Sequence, residues 1–370
     1  MKEIAFIVHS ITSKGGLERI VKIKTDVLSS IYKCNLICMY DLGKPAYEIN
    51  SNIKVFHLNK GLKRVRETFV CNYLRLKNFI QENYIGLIII EGRGVNFIPL
   101  LLKIFCKLKI VFVDHGSLNG YKITKTTLKQ KFCNFLDQIL ISKLSDKIIT
   151  LTEKEKDEYI KSFGLAHEKV ECIYNFIDDS LLLLEFKYNN NTMKIMTVGR
   201  IEYDKGIEEL IEVGKIVFQL HPDWQWHIYG DGKIDYINKI IKMLKDNRLE
   251  DNIILMGQSN DIYELYNNYS LFVMTSHHEG LPMVLLEAKA KKLPIVSFDI
   301  NSGPSDIVRD GIDGFLVKPF DCQKMADKIC ELIENPELRQ KFSDNAHGNI
   351  DKFSKEKIIK QWCDLIDSLS

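Results

Sequence analysis

His277-His278-Glu279-Gly280-Leu281-Pro282-Met283-Val284-Leu285-Leu286-Glu287-Ala288 follows the apolar run Leu271-Phe272-Val273-Met274. A short apolar run of this kind reads as a buried parallel strand, and Val284 onward reads as a helix. The segment between them is then a strand-to-helix loop, the place where open α/β sheets bind ligands. Glu279 sits on that loop, and Glu287 lies eight positions later, inside the helix. Free backbone N–H groups at the helix start make an anion site. Carboxylates beside an anion site suit the hydroxyls of a sugar or ribose, while a carboxylate at a helix start also simply complements the macrodipole.

Outward from this segment the same alternation runs through the chain. In the first half, strands are predicted at Ile4–Val8, Asn35–Tyr40, Ile53–Leu58, Leu87–Ile90, Ile110–Val113, Lys147–Leu151 and Val170–Ile173. Helical stretches at Leu17–Ser30, Arg66–Asn83, Pro99–Cys106, Leu128–Ser142 and Glu153–Phe163 separate most of them. A polar break, Lys187-Tyr188-Asn189-Asn190-Asn191-Thr192, precedes a second series that starts at Lys194–Val198 and ends with the helix Met325–Glu334. The expectation is α/β, two Rossmann-like doubly wound parallel sheets facing a cleft. Residues 1–173 form the first domain, 174–192 the connection and 193–354 the second domain. The closing helix Lys355–Leu369, with Ile358, Ile359, Trp362, Ile366 and Leu369 on one stripe, is expected to cross back onto the first domain.

Composition narrows the class. At 370 residues, two domains are the natural expectation, and 45% hydrophobic with 27% charged residues is the make-up of a globular protein. Nine cysteines include no C-x-x-C pair and scatter through apolar segments, which predicts reduced thiols and a cytoplasmic location. Met1–Val8 reads as a strand, since His9 and Ser10 end its apolar run too early for a signal peptide. No apolar run approaches the roughly 18 residues of a membrane span. Residues 1–190 carry 29 Lys and Arg against 20 Asp and Glu, a net +9, and the remainder carries −7. That asymmetry suggests an anionic partner for the first half.

Four further motifs fall at strand ends. Ser13-Lys14-Gly15-Gly16-Leu17-Glu18-Arg19 opens a helix, and its paired glycines let a phosphate approach closely, although a plain turn reads the same way. Val113-Asp114-His115-Gly116 places a histidine at a strand's carboxyl end. Gly199-Arg200 leads to Asp204-Lys205-Gly206, a guanidinium and an ammonium on one loop that suit a diphosphate. Tyr229-Gly230-Asp231-Gly232 permits a tight turn. Asp310-Gly311-Ile312-Asp313-Gly314-Phe315 reads as a hairpin turn. There is no H-x-x-H pair, Walker loop or G-x-G-x-x-G turn, and basic residues do not interleave with aromatics as in nucleic-acid binders.

In this order the motifs resemble the retaining glycosyltransferases of family 4, whose GT-B architecture pairs two Rossmann-like domains. The glycine pair and the G-x-G are nonspecific. The G-R-x-x-x-x-K-G element at 199–206, followed by E-G-x-P-x-x-x-x-E at 279–287, is specific. The resemblance implies that Arg200 and Lys205 hold a donor diphosphate. It further implies that Glu279 binds donor-sugar hydroxyls, Met283 and Val284 offer backbone N–H groups, and Glu287 binds the ribose. Gly16, Gly199, Gly230 and Gly280 would let the backbone approach the donor, and His115 would meet the donor sugar near its reacting face. Many members carry glycine where this chain has Pro282, which has no N–H and receives no backbone contact.

The implied reaction moves a hexosyl or N-acetylhexosaminyl group from a nucleotide diphosphate sugar, with UDP as the expected carrier, to a glycan or lipid-diphosphate-linked acceptor. Anomeric configuration would be retained, with no cofactor beyond the nucleotide sugar, no metal and no nucleic-acid partner. Cations near the departing diphosphate help most in the transition state. In hydrolases two carboxylates flank the scissile bond; Glu279 and Glu287 share one loop and helix, which suits gripping hydroxyls better. For the first half, Lys60-Gly61-Leu62-Lys63-Arg64-Val65-Arg66, the stretch Phe97–Val113 and Lys122, Lys125, Lys129 and Lys131 predict salt-sensitive contact with an anionic membrane surface. Phe97–Val113 reads first as an ordinary core helix and strand. A UDP-sugar epimerase of the same architecture and a non-catalytic nucleotide-sugar binding module are the competing readings.

Overall fold

The computed structural model describes residues 2–12, 15–60, 65–95, 97–118, 128–183, 188–259 and 261–369, with the side chains of 60, 65–68, 128–132 and 183 left aside. Most of the 60–66 basic run, together with Lys122, Lys125, Lys129 and Lys131, therefore lies outside the described residues or side chains. So do Ser13 and Lys14.

The chain divides into two compact units, 1–176 with 356–370, and 177–355. The first holds a seven-stranded sheet of β1 (Glu3–Val8), β2 (Lys33–Asp41), β3 (Lys54–Lys60), β4 (Leu87–Glu91), β5 (Lys109–Asp114), β6 (Lys147–Thr150) and β7 (Val170–Cys172). Its order is β3-β2-β1-β4-β5-β6-β7, and every pairing is parallel. The second holds β8 (Lys194–Val198), β9 (Gln225–Tyr229), β10 (Ile253–Gly257), β11 (Leu271–Met274), β12 (Ile295–Phe298) and β13 (Gly314–Val317), ordered β10-β9-β8-β11-β12-β13 and again all parallel. Strand order reverses between β1 and β4 in one sheet and between β8 and β11 in the other. Beyond the carboxyl ends of strands at such switch points, doubly wound sheets leave a crevice.

Strands buried on both faces need unbroken apolar runs, and β4, Leu87-Ile88-Ile89-Ile90-Glu91, is buried along its whole length. Helix ends are closed by local chemistry. Thr152 accepts the amide of Glu155 at the start of helix Glu153–Phe163, which ends on Gly164 in the left-handed region. In the second core, Trp226 is fully buried and its indole N–H donates to Thr197 Oγ1 at 2.9 Å.

Two boundaries depart from the sequence reading. Residues 177–192 belong with the second unit: Ile177 N donates to Phe353 O at 2.9 Å, Tyr188 Oη to Ser270 O at 2.8 Å, and Arg339 Nη2 to Asn190 O at 2.8 Å. The turn at 310–315 is not a hairpin, because β13 pairs in parallel with β12. The closing helix Lys355–Ser368 buries Ile358, Ile359, Trp362, Leu365 and Ile366, and its residues from 356 on belong to the first unit. Asp367 there pairs with Lys2 at 2.8 Å.

Candidate functional site

In the second unit the loops after β8 and β11 meet at the switch point. Gly206 has φ +65°, and a Cβ there would lie 1.9 Å from the carbonyl oxygen of Thr275. Only glycine lets the two loops come this close. Two further bonds join them: Thr275 Oγ1 donates to Lys205 O at 3.2 Å, and His277 N donates to Asp204 O at 2.9 Å. Loops held in this way carry the Lys205 ammonium to 2.6 Å from Glu279 Oε1. Gly230 plays a matching part beside β8: with φ +150°, a Cβ would stand 1.8 Å from the carbonyl oxygen of Gly199.

Arg200 does not join that pair. Its guanidinium is largely exposed and lies 3.2 Å from Glu202. Glu279 lies on the β11 loop, and the helix Met283–Ala290 begins after Pro282, which offers no N–H. Leu285 N makes the first backbone bond of that helix, to Pro282 O at 3.0 Å, so the amides of Met283 and Val284 precede it. Gly280 is buried, and its carbonyl accepts from Ser302 Oγ at 3.1 Å.

Glu287, within this helix, is 8% exposed. Tyr266 Oη donates to its Oε2 at 3.1 Å and Tyr263 Oη to its Oε1 at 3.4 Å. These two phenol hydroxyls fix the Glu287 carboxyl in place. His277 is buried, with Nε2 2.9 Å from Glu209; burial opposes ionisation of Glu209, but His277, the residue's own backbone amide and Lys239 together hold its carboxyl below the ordinary range.

The first unit has its own cluster at the ends of β4 and β5, of which the sequence motifs mark His115 alone. His115 Nε2 lies 2.7 Å from Glu91 Oε2, and Glu91 Oε1 lies 2.5 Å from the ammonium of Lys24. Burial opposes ionisation of Glu91, but Lys24 and His115 together hold its carboxyl below the usual range. Alongside, Asp114 Oδ2 accepts from Arg93 Nη2 at 2.5 Å and from Tyr159 Oη, and Asp114 Oδ1 accepts from Gly116 N at 3.1 Å. The signal for this cluster was Glu91-Gly92-Arg93-Gly94, a charged, glycine-bearing strand end at the switch point. Gly16 is the first residue of the helix Gly16–Leu28, which also carries Lys24. Among the described residues no group of three His, Cys, Asp or Glu is placed to hold a metal ion.

Residues 185–348 match the family described as Glycosyl transferases group 1, and residues 15–181 match Glycosyltransferase Family 4. The chain is 27% identical to an uncharacterized glycosyltransferase of Haemophilus influenzae, over 98% of this chain and 99% of the relative. It is 26% identical to the amylovoran biosynthesis glycosyltransferase AmsD of Erwinia amylovora, over 99% and 100%. A third relative, 24% identical over 97% and 98%, is the Campylobacter jejuni N-acetylgalactosamine-N,N'-diacetylbacillosaminyl-diphospho-undecaprenol 4-alpha-N-acetylgalactosaminyltransferase. Among solved structures, HepE of Anabaena in complex with UDP and glucose superposes with a TM-score of 0.79 over the whole of both chains, at 18% identity.

Proposed function

The chain belongs to the GT-B glycosyltransferases of family 4 type, and from that premise we propose that it transfers a hexosyl or N-acetylhexosaminyl group from a UDP-sugar, with retention, in cell-surface polysaccharide synthesis. The acceptor in this reading is a glycan or a lipid-diphosphate-linked sugar. The observation that carries it is the 2.6 Å approach of Lys205 to Glu279 at the switch point of the second sheet. A cation for a diphosphate and a carboxylate for sugar hydroxyls then stand side by side beyond the strand ends. The Campylobacter relative is named for a lipid-diphosphate acceptor, and HepE binds UDP, which supports the choice of partners.

In the proposed mechanism the donor diphosphate lies over the amides of Met283 and Val284. Lys205 and Arg200 offset the charge that builds as the nucleotide leaves. Glu279 accepts hydroxyls of the donor sugar, and Glu287, steadied by Tyr263 and Tyr266, accepts the ribose hydroxyls. His115 serves the sugar near its reacting face. The donor's β-phosphate takes the acceptor's proton in a front-face attack, so neither a protein nucleophile nor a metal is part of this scheme. Gly16, Gly199, Gly230 and Gly280 keep the backbone close.

We also assign to the first unit reversible contact with the anionic inner face of the cytoplasmic membrane. Helices Val65–Glu82, Phe97–Phe105 and Leu128–Leu144 pack side by side and expose Val70, Leu74, Ile104, Phe105, Phe135 and Leu136. Leu100, Leu102 and Ile110–Val113 are core, so only part of the 97–113 stretch faces outward. No described helix is long and apolar enough to cross a membrane.

The deciding experiment is a thermal-shift panel of nucleotide sugars, followed by product analysis with the donor that responds. A donor bound to the folded state raises the melting point by mass action. Transfer with retained configuration supports the proposal. Binding with the donor left intact before every glycan and lipid-linked acceptor would favour a binding module, and interconversion of the donor sugar without an acceptor would favour an epimerase.

A further inference from the structure

We propose that Glu91 is the positioning residue for His115, fixing its imidazole as the Nε2–H form, and that Lys24 and Trp362 hold Glu91 for that task. The proposal rests on the reading of His115 as a contact of the donor sugar.

Neighbouring strands supply the geometry. Glu91 ends β4 and is paired in register with Val113 on β5, two residues before His115. The Glu91 side chain is fully buried, and its two oxygens serve different partners: Oε2 faces His115 Nε2 at 2.7 Å and Oε1 faces Lys24 Nζ at 2.5 Å. An ionised carboxylate only accepts hydrogen bonds, so the proton at this contact sits on Nε2. In the neutral ring Nδ1 is then the acceptor, and the ring cannot turn over without leaving a buried carboxylate oxygen unpaired. Asp114, next to His115 in the chain, does not compete for this role. Its oxygens are engaged by Arg93, Tyr159 and Gly116 N.

Lys24 explains why a carboxylate survives here. A buried anion needs a buried counter-charge, and the Lys24 side chain is 2% exposed. Its ammonium also lies 4.1 Å from the ring centroid of Trp362, within cation–π range. Trp362 belongs to the closing helix, so a segment at the far end of the chain covers the ion pair behind His115.

The test uses the full chain labelled with 15N-histidine, in wild type, His115→Ala, the apolar pair K24M/E91L and the neutral-acceptor pair K24M/E91Q. Both double variants remove both charges, so neither leaves an uncompensated buried ion that would unfold the protein. The His115 ring signals are those lost in His115→Ala. The expected result is an Nε2–H signature in wild type, a mixed tautomer signature in K24M/E91L, and partial recovery in K24M/E91Q. Turnover should follow that order, with kcat lower by about 10²-fold in K24M/E91L and donor KM changed by less than about 3-fold. An unchanged Nε2–H signature in K24M/E91L overturns the proposal. So does full activity in K24M/E91L beside an inactive His115→Ala. If His115→Ala itself turns over like wild type, the reading of His115 fails, and the transfer role of Glu91 fails with it.

Discussion

Lys205 Nζ and Glu279 Oε1 lie 2.6 Å apart although 74 residues separate them in the chain. The contact exists because Gly206 lets the β8 loop pass against Thr275 with no side chain between. The pair is half-buried, with side chains 22% and 17% exposed, so a ligand can reach both groups. A cation and an anion held this close have little net field of their own. In the proposed reaction a diphosphate takes the lysine and sugar hydroxyls take the glutamate.

Removing either charge should therefore reduce transfer far more than stability. Lys205→Met and Glu279→Gln are each expected to lower kcat/KM by about 10²–10³-fold, as loss of a group aimed at developing charge does. Because the two side chains touch, the double variant should lose much less than the product of the single losses. Initial rates on the four proteins check this, and a Glu279→Gln enzyme with wild-type turnover would remove Glu279 from the site.

Gly230→Ala tests the second close approach. An added methyl would stand 1.8 Å from Gly199 O on a backbone with φ +150°, so the β9 loop must move away from β8. The expected cost is about 1–3 kcal/mol, with weaker donor binding because Gly199 and Arg200 move with it. Calorimetry with and without donor separates the two effects. A variant that melts and binds as wild type contradicts the assigned geometry.

Much of this architecture was legible because parallel strands buried on both faces must be apolar runs, and those runs stand out in β1, β4, β5 and β11. The motif residues were legible for a related reason: glycines and charges at strand ends mark the crevice. What stayed hidden depends on partners distant in the chain. Lys24 looks like an ordinary helix lysine until Glu91 and Trp362 surround it. Tyr263 and Tyr266 give no local sign that they reach Glu287. The 310–315 turn has hairpin residues, but turn chemistry is local, and a parallel partner is chosen by the sheet.

Glu155 gives the first unit a pH dependence of known sign. Burial pushes its carboxyl up to about 7, despite the hydrogen bond from Leu118 N at 3.0 Å. Between an ordinary glutamate value near 4.3 and about 7, the folded protein keeps a proton that the unfolded chain has lost. Stability from this group is thus fully present below that window and declines as pH rises through it, by about 4 kcal/mol at most. Glu155→Gln keeps an acceptor for Leu118 N and removes the titration. The variant should melt above wild type at pH 8 and close to it at pH 5; equal melting points at both values would show that Glu155 does not titrate as described.

The proposed membrane contact predicts a different kind of sensitivity. Ile104 is 56% exposed and Phe105 is 72% exposed, at the end of a helix with the exposed Lys107 just beyond. Tyr73 meets Phe105 edge-on at 6.5 Å, so the apolar surface continues onto the neighbouring helix. Apolar side chains insert among lipid headgroups while lysines draw anionic lipid, so binding needs both and weakens with salt. Sedimentation with vesicles of phosphatidylglycerol and phosphatidylcholine should capture the wild type at low salt and release most of it at about 0.5 M salt, where screening shortens the Debye length to roughly 4 Å. The pair Ile104→Ser and Phe105→Ser, exposed and outside the core, should sediment several-fold less while transferring normally to a soluble acceptor. No sedimentation of the wild type at low salt would remove the membrane from the account and leave the transferase reading intact.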